Sequence, residues 1–285
     1  MTFAQPDNTT SPHWGGNRDI QRDRWGRPLV TPPGGGKPIG YTRCTTFVDA
    51  LSDQSNLTAW KARMVAKGLT LREDLWMRAG SLDPDMDKAE MGRIVEDAAQ
   101  AAGSSRAADI GTQLHEATER HDLGQNIGPI GTYKRHLDAY INATRSITWH
   151  AIEQFRVCDE LQIGGTADRV ALIDGSLVIA DIKTGGLWDV GKMAQQLAVY
   201  AHSVPYNPQT GQREADPYPI NTEMGLLIHL QEKTGECDLY WLNLTIGWEG
   251  VQLSARVRQW RQFHKNKATR GNILAPVAPD TNLGA

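Results

Sequence analysis

The sequence has no run of 18 or more apolar residues, so no segment of it reads as a transmembrane helix. Its opening stretch, MTFAQPDNTTSPHW, lacks the apolar run of a secretory signal, and a cytoplasmic protein is expected. Cysteine is scarce. Cys44, Cys158 and Cys237 lie far apart, which excludes a disulfide framework and a zinc site of the CxxC kind. Isolated thiols fit a reducing compartment. Neither charge dominates: 30 Lys and Arg against 33 Asp and Glu leave a net charge of −3, which taken alone argues against a general nucleic-acid coat. What remains is an ordinary soluble composition, 40% hydrophobic and 22% charged over 285 residues. That is enough chain for a real core in one large domain or two small ones.

The distribution of charge says more than its sum. Residues 1–43 carry 6 Lys/Arg and 3 Asp/Glu, and residues 251–285 carry 6 and 1. The middle, 44–250, carries 18 and 29. Basic ends therefore flank an acidic centre, although solvated faces alone can produce such a split.

Residues 1–40 are rich in Gly, Pro, Asn and Arg and show no hydrophobic period, which predicts a flexible basic arm. Gly34-Gly35-Gly36-Lys37 is not a phosphate loop, because it lacks the GxxxxGK[ST] spacing and follows no strand. Helical patterns cover about 57–67, 71–79, 87–102, 107–122 and 130–146. At Thr148 the period changes. Strands are expected over 151–158, 162–173 and 177–183, with Asp174-Gly175-Ser176 as a hairpin signal. A helix over 187–204, a polar loop over 205–221, a hairpin of 224–230 with 237–244, and a last helix over 251–267 complete the order. This is a mixed α/β core with a helical N-terminal extension.

Two strands carry unexpected charge. Asp168 lies in Gly164-Gly165-Thr166-Ala167-Asp168-Arg169, and Asp181 and Lys183 lie in Ala180-Asp181-Ile182-Lys183-Thr184-Gly185. Side chains alternate along a strand, so Asp181 and Lys183 share a face on which apolar residues would be usual. Hairpin pairing can bring Asp168 alongside Asp181. Two adjacent carboxylates raise each other's pKa unless a cation sits between them. Hard oxygen donors suit Mg²⁺ or Mn²⁺. Lys183 beside them can orient or help deprotonate a water and offset charge on a pentavalent phosphate. A plain Asp–Lys pair at a strand end is the structural alternative.

Two more pieces flank this stretch: Gly111-Thr112-Gln113-Leu114-His115 upstream and Gln195-Gln196-Leu197-Ala198-Val199-Tyr200 downstream. The order GTxxH, GxxDR, DxKTG, QxxxY resembles the PD-(D/E)xK nuclease superfamily, nearest to RecB-type exonucleases, which include CRISPR-associated and phage-encoded single-strand exonucleases. The resemblance covers about 107–246. It implies a restriction-endonuclease-like α+β fold, a central mixed β-sheet flanked by helices. Residues 41–106 would then be a helical extension, 107–270 the nuclease core with a C-terminal basic helix, and 271–285 a tail. It also implies roles. His115, Asp168, Asp181 and the Ile182 carbonyl would be metal ligands, and Lys183 the catalytic lysine. Gln196 and Tyr200 would contact phosphate or brace the site, Glu153 would stand outside the ligand shell, and Thr184 and Gly185 would shape the turn. The CRISPR-associated branch holds an iron–sulfur cluster on four cysteines. Three scattered cysteines cannot, so none is expected.

The function expected is a metal-dependent DNA exonuclease using one or two Mg²⁺ or Mn²⁺ ions, acting on single-stranded or unwound ends in phage-type replication, recombination or repair. Recombination or replication proteins would be its partners. An endonuclease of the same fold and a DNA-binding factor without catalysis are the alternatives. Trp188 is a candidate for stacking on unpaired bases, with a core anchor as its structural alternative. Arg18, Arg22, Arg24 and Arg27 in the arm, and Arg256, Arg258 and Arg261 in the last helix, are candidates for phosphate contacts.

Overall fold

The computed structural model describes residues 20–265. The chain opens with β1 (Leu29–Val30), β2 (Ile39–Gly40), β3 (Thr42–Arg43) and α1 (Cys44–Val48). Helices α2 (Ser55–Leu71), α3 (Glu73–Gly80), α4 (Lys88–Ala101) and α5 (Arg106–Asp122) follow, then a 3-10 turn and α6 (Lys134–Thr144). The sheet is built from β4 (Thr148–Cys158), β5 (Ile163–Ile173) and β6 (Ser176–Lys183), then α7 (Val190–Ala201), β7 (Val204–Pro205), β8 (Met224–Leu230) and β9 (Cys237–Asn243). A long helix, α8 (Leu244–Lys265), completes the described residues, none of whose helices is long and apolar enough to cross a membrane.

The seven-stranded sheet runs β7-β4-β5-β6-β8-β9, with β3 parallel to the start of β5. Most neighbours are antiparallel, but β6 and β8 are parallel, so the sheet is mixed. This is the α+β core, a mixed sheet flanked by helices, that the sequence implies. The β5–β6 hairpin turns on Asp174 and Gly175, at φ 48° and 75°. Two residues with positive φ make the tight turn that Asp-Gly favours. Period-two burial then sorts the sheet into two faces. Val178, Ala180, Ile182, Leu226 and Ile228 pack under Ile110 and Leu114 of α5 and Leu137 and Tyr140 of α6. Val170, Leu177, Ile179 and Leu227 pack under Leu197 and Val199 of α7, with α1 and α8 beside them.

Three boundaries differ from the sequence reading. Residues 20–40 do not form a flexible arm. Ile20 and Val30 are buried against Phe155, Val157 and Tyr206, so two apolar side chains anchor a segment whose composition reads as coil. Residues 1–19, with Arg18, and 266–285, with the expected tail, lie outside the described residues. The helical extension keeps its own small core of Leu75, Ile94 and Ala98, whereas α1 belongs to the main core. Two helices also run through glycines: α2 past Gly68, expected as its end, and α8 through Gly247, ahead of its expected start at Val251. At Gly68 of α2 a Cβ would stand 1.7 Å from the Ala98 carbonyl oxygen. At Gly247 of α8 it would stand 2.4 Å from the Ala194 oxygen. Both glycines let helices approach closely rather than ending them, which is why α8 begins at Leu244 and not at Val251.

Gly247→Ala discriminates between these roles. Helix propensity alone would stabilise the protein by about 1 kcal/mol. The obstructing atom is backbone and cannot swing aside, so overpacking should dominate and cost about 1–3 kcal/mol. Urea denaturation is expected to show a lower midpoint for the variant.

Candidate active site

The site lies where β5 and β6 part. Their last paired positions toward this end are Arg169 and Ala180, which places Asp168 opposite Asp181 one step further on. Beyond that step β6 stays with β8 through Lys183, while β5 continues beside β4 and picks up β3 only at Ile163 and Gly164. Asp168 fills the fork. Its Oδ2 accepts the Ile182 backbone N–H at 2.9 Å, a donor that the ladder would otherwise have used.

Helix α5 closes one side of the fork. Gly111 allows this approach, because a Cβ there would lie 2.9 Å from Thr184 Oγ1. One turn later, His115 Nδ1 lies 3.6 Å from Asp168 Oδ2. Burial pulls the His115 pKa down against the attraction of Asp168, so the imidazole is neutral and able to ligate at physiological pH. Helix α7 closes the other side. Gln196 Nε2 donates to Asp181 Oδ1 at 3.1 Å. Tyr200 is buried with its hydroxyl against Gly165 and Cys44, so of the two side chains it is Gln196 that braces the carboxylate.

Asp181 is almost wholly buried. Burial first, and then Asp168, push its carboxyl well above the usual range. Lys183 Nζ stands 2.5 Å from Asp181 Oδ2. The approach is not aligned as a hydrogen bond, and that oxygen has no other partner. Burial alone would lower the Lys183 pKa, but Asp181 and Asp168 raise it, so the side chain is an ammonium. Glu153 stands across from Asp168 on β4, between the paired positions Ile152–Arg169 and Gln154–Ala167. Its backbone has φ 52°, a strained value for a non-glycine residue. Burial, reinforced by Asp168, pushes its carboxyl up to about 8.

These groups line a recess of about 430 Å³ whose walls include His115, Glu119, Glu153, Asp168, Lys183 and Thr184. Glu153 reads from sequence as a residue outside the ligand shell, yet it faces this recess. Glu116 and Glu119 of α5 line it too and were missed. The available signal was the i, i+4 spacing of His115 and Glu119, which puts both on one helix face. Arg169 also went without a role. It is buried, with Nε 2.7 Å from Asp122 Oδ2 and Nη1 donating to the Asp168 carbonyl at 2.7 Å. Tyr140 donates to the same Asp122 oxygen at 2.5 Å.

Other candidates lie outside the recess. Trp188 follows it by a few residues and is 95% exposed, which removes the core-anchor reading. Arg256 is exposed on α8. Arg258 donates to Thr42 Oγ1 at 3.3 Å. Cys44 and Cys158 are buried and Cys237 partly so.

Two carboxylates, a neutral imidazole and the adjoining Ile182 carbonyl are the donor chemistry of a hard divalent cation. Asp181 Oδ2 makes no hydrogen bond beyond its ion pair with Lys183, and burial and Asp168 raise the Asp181 carboxyl, which a bound cation would offset. As the side chains stand, no three His, Cys, Asp or Glu groups among the described residues converge on one point at ligand distance. The donors therefore fit in kind, and their closure on an ion requires side-chain rotation.

A mixed sheet whose fork holds Asp168, Asp181 and Lys183 against a helix-borne histidine defines a nuclease-type site. The sequence profile of the PD-(D/E)XK nuclease superfamily matches residues 64–270, and the chain belongs to that superfamily of metal-dependent nucleases. No curated protein matches it significantly.

The raised Glu153 carboxyl has a measurable consequence. Its ordinary value is 4.5 and its folded value about 8, so the folded chain holds this proton more tightly than the unfolded chain. The stability linked to it is complete below pH 4.5 and is lost as pH rises through about 8. Glu153→Gln should flatten this part of the pH profile. Thermal melts of metal-free protein between pH 5 and 9 should show a smaller fall for the variant.

Proposed function

We propose that the protein is a metal-dependent DNA exonuclease of the RecB type, working on single-stranded or unwound ends in phage-type DNA replication, recombination or repair. The observation that carries the hydrolytic part is the fork, where Asp168 stands opposite Asp181 and Lys183 lies against Asp181. The observation that favours an unpaired strand is Trp188, 95% exposed and three residues after Gly185 of the recess wall, able to stack on a base.

The reaction is in-line hydrolysis. A water oxygen forms a new bond to the scissile phosphorus as its proton passes to solvent, and the bond to the departing sugar oxygen breaks as that oxygen takes up a proton from solvent. When bound by Asp168, Asp181, His115 and the Ile182 carbonyl, Mg²⁺ or Mn²⁺ supplies a water of lowered pKa and offsets phosphoryl charge. Lys183 is held as an ammonium, so it donates to the phosphoryl oxygens as they gain charge and orients the water without taking its proton. Gln196 keeps Asp181 in place through its Oδ1, leaving Oδ2 for the reacting centre. Arg256 and Arg258 on α8 are the proposed phosphate contacts outside the recess.

Asp181→Ala and Lys183→Ala should each abolish cleavage. The Asp181 variant should melt below the parent temperature, because it leaves the Lys183 ammonium and the Gln196 amide without their partner. Metal-dependent cleavage that survives both changes overturns the assignment.

A time course on end-labelled linear and closed circular single strands, with Mg²⁺, Mn²⁺ or EDTA, tests the mode of attack. Linear strands should shorten from an end and circles should persist. Cut circles make the protein an endonuclease, and binding without cleavage in either metal makes it a DNA-binding factor.

A further inference from the structure

The two basic ends of the chain meet on one surface away from the recess. Between the N-terminal segment, α1 and α8 lies a groove of about 560 Å³, lined by Trp25, Arg27, Arg43, Phe47, Arg258 and their neighbours. Its cations are unevenly satisfied. Arg27 is paired with Asp23 at 2.7 Å. Arg43 is exposed and meets no carboxylate at ion-pair distance among the described residues. Arg258 is half-buried, with its guanidinium carbon 5.1 Å from the Phe47 ring centre. Its hydrogen bonds, to Thr42 Oγ1 at 3.3 Å and to the Thr46 carbonyl at 3.5 Å, are long and neutral. Burial first, and then the nearby Arg261, lower its pKa, as expected of a cation without a counter-charge. Glu160 is the one acidic residue lining the groove, and it is exposed. Trp25 stands at the edge, 61% exposed, with the Arg24 and Arg27 guanidinium carbons 4.0 Å and 4.9 Å from its ring centre.

A half-buried arginine beside a second unpaired arginine is costly, and a bound anion offsets that cost. An exposed indole flanked by guanidinium groups adds a stacking platform. Cations and an aromatic platform together are the equipment of single-strand binding, where the cations follow phosphates and the ring takes a base without reading its identity. The location fits as well. Arg43 pairs with Gly164, four residues before Asp168 on β5. At about 3.3 Å per residue this is about 13 Å from the fork.

We propose that this groove is a second nucleic-acid contact, in which Arg43 and Arg258 hold the phosphodiester backbone of a single strand and Trp25 stacks on one of its bases. The proposal rests on the nuclease reading above and assigns the path of the strand beyond the cleaved bond. It unites residues from opposite ends of the chain, which sequence reading treated as separate basic tracts.

The test uses Asp181→Asn as an uncleaving parent, with Mg²⁺ present, and titrates labelled single strands over a salt series. One strand is long enough to reach from fork to groove and one is too short. Arg43→Ala should weaken binding of the long strand several-fold and flatten its salt slope by about 0.7, the value for one phosphate contact on a single strand. Trp25→Ala should weaken the same strand about tenfold and leave the slope unchanged. Neither change should affect the short strand, and both side chains are exposed, so the melting temperature should hold. Long-strand affinity equal to the parent's in both variants overturns the groove and leaves the nuclease reading standing. Failure of the parent to bind either strand overturns that reading and the groove with it.

Discussion

The ion pair between Arg169 and Asp122 holds the two halves of the site in register. Both side chains are nearly inaccessible, at 1% and 3% exposure. Arg169 follows Asp168 on β5, and Asp122 ends the helix that carries His115. Locking one to the other therefore sets how α5 lies on the sheet, and with it the distance from His115 to Asp168. A buried pair of this kind is weak evidence for net stability, because desolvation costs as much as attraction returns. Here the remaining hydrogen-bonding capacity is largely satisfied, by Tyr140 on the carboxylate and by the Asp168 carbonyl on the guanidinium. The pair accordingly acts as a geometric pin that also grips the backbone of a proposed ligand.

Around that pin the site collects carboxyl groups that the fold neutralises only in part. Asp168 borrows a backbone N–H, Asp181 is shared between Gln196 and Lys183, and Glu153 is held on a strained backbone 3.7 Å from Arg169. Such strain and unmet polarity persist only where surrounding packing over-determines them, and they cluster where chemistry is done. The same logic with opposite sign applies at the groove, where arginines without carboxylates gather. Among the described residues the acidic recess and the basic groove are separate places, so a chain of near-zero net charge keeps part of its two signs apart.

Much of this was legible from residues alone. Asp174-Gly175-Ser176 marked a hairpin, and hairpin pairing could bring Asp168 alongside Asp181; the register itself, Ile173 opposite Ser176, came from the fold. Period two then placed Lys183 on the same face as Asp181. These are short-range rules, with side-chain direction and turn chemistry fixed by the backbone within a few residues. Other features depended on contacts between distant segments. Glu153 did not read as part of the recess because its positive φ depends on the pairing of β4 with β5. Gly68 looked like a helix end because nothing nearby in sequence reveals the partner backbone it admits.

The sequence by itself determined the order of the elements and the chemical kinds of donor at the fork, since each follows from local periodicity and motif order. Only the tertiary structure decided the hairpin register, that Gln196 and Tyr200 face inward, that Trp188 faces solvent, that Glu119 and Glu153 join the recess and that Arg43 and Arg258 line one groove. Those outcomes depend on which faces of helix and strand are buried against partners tens or hundreds of residues away, and burial is a property of the packed chain.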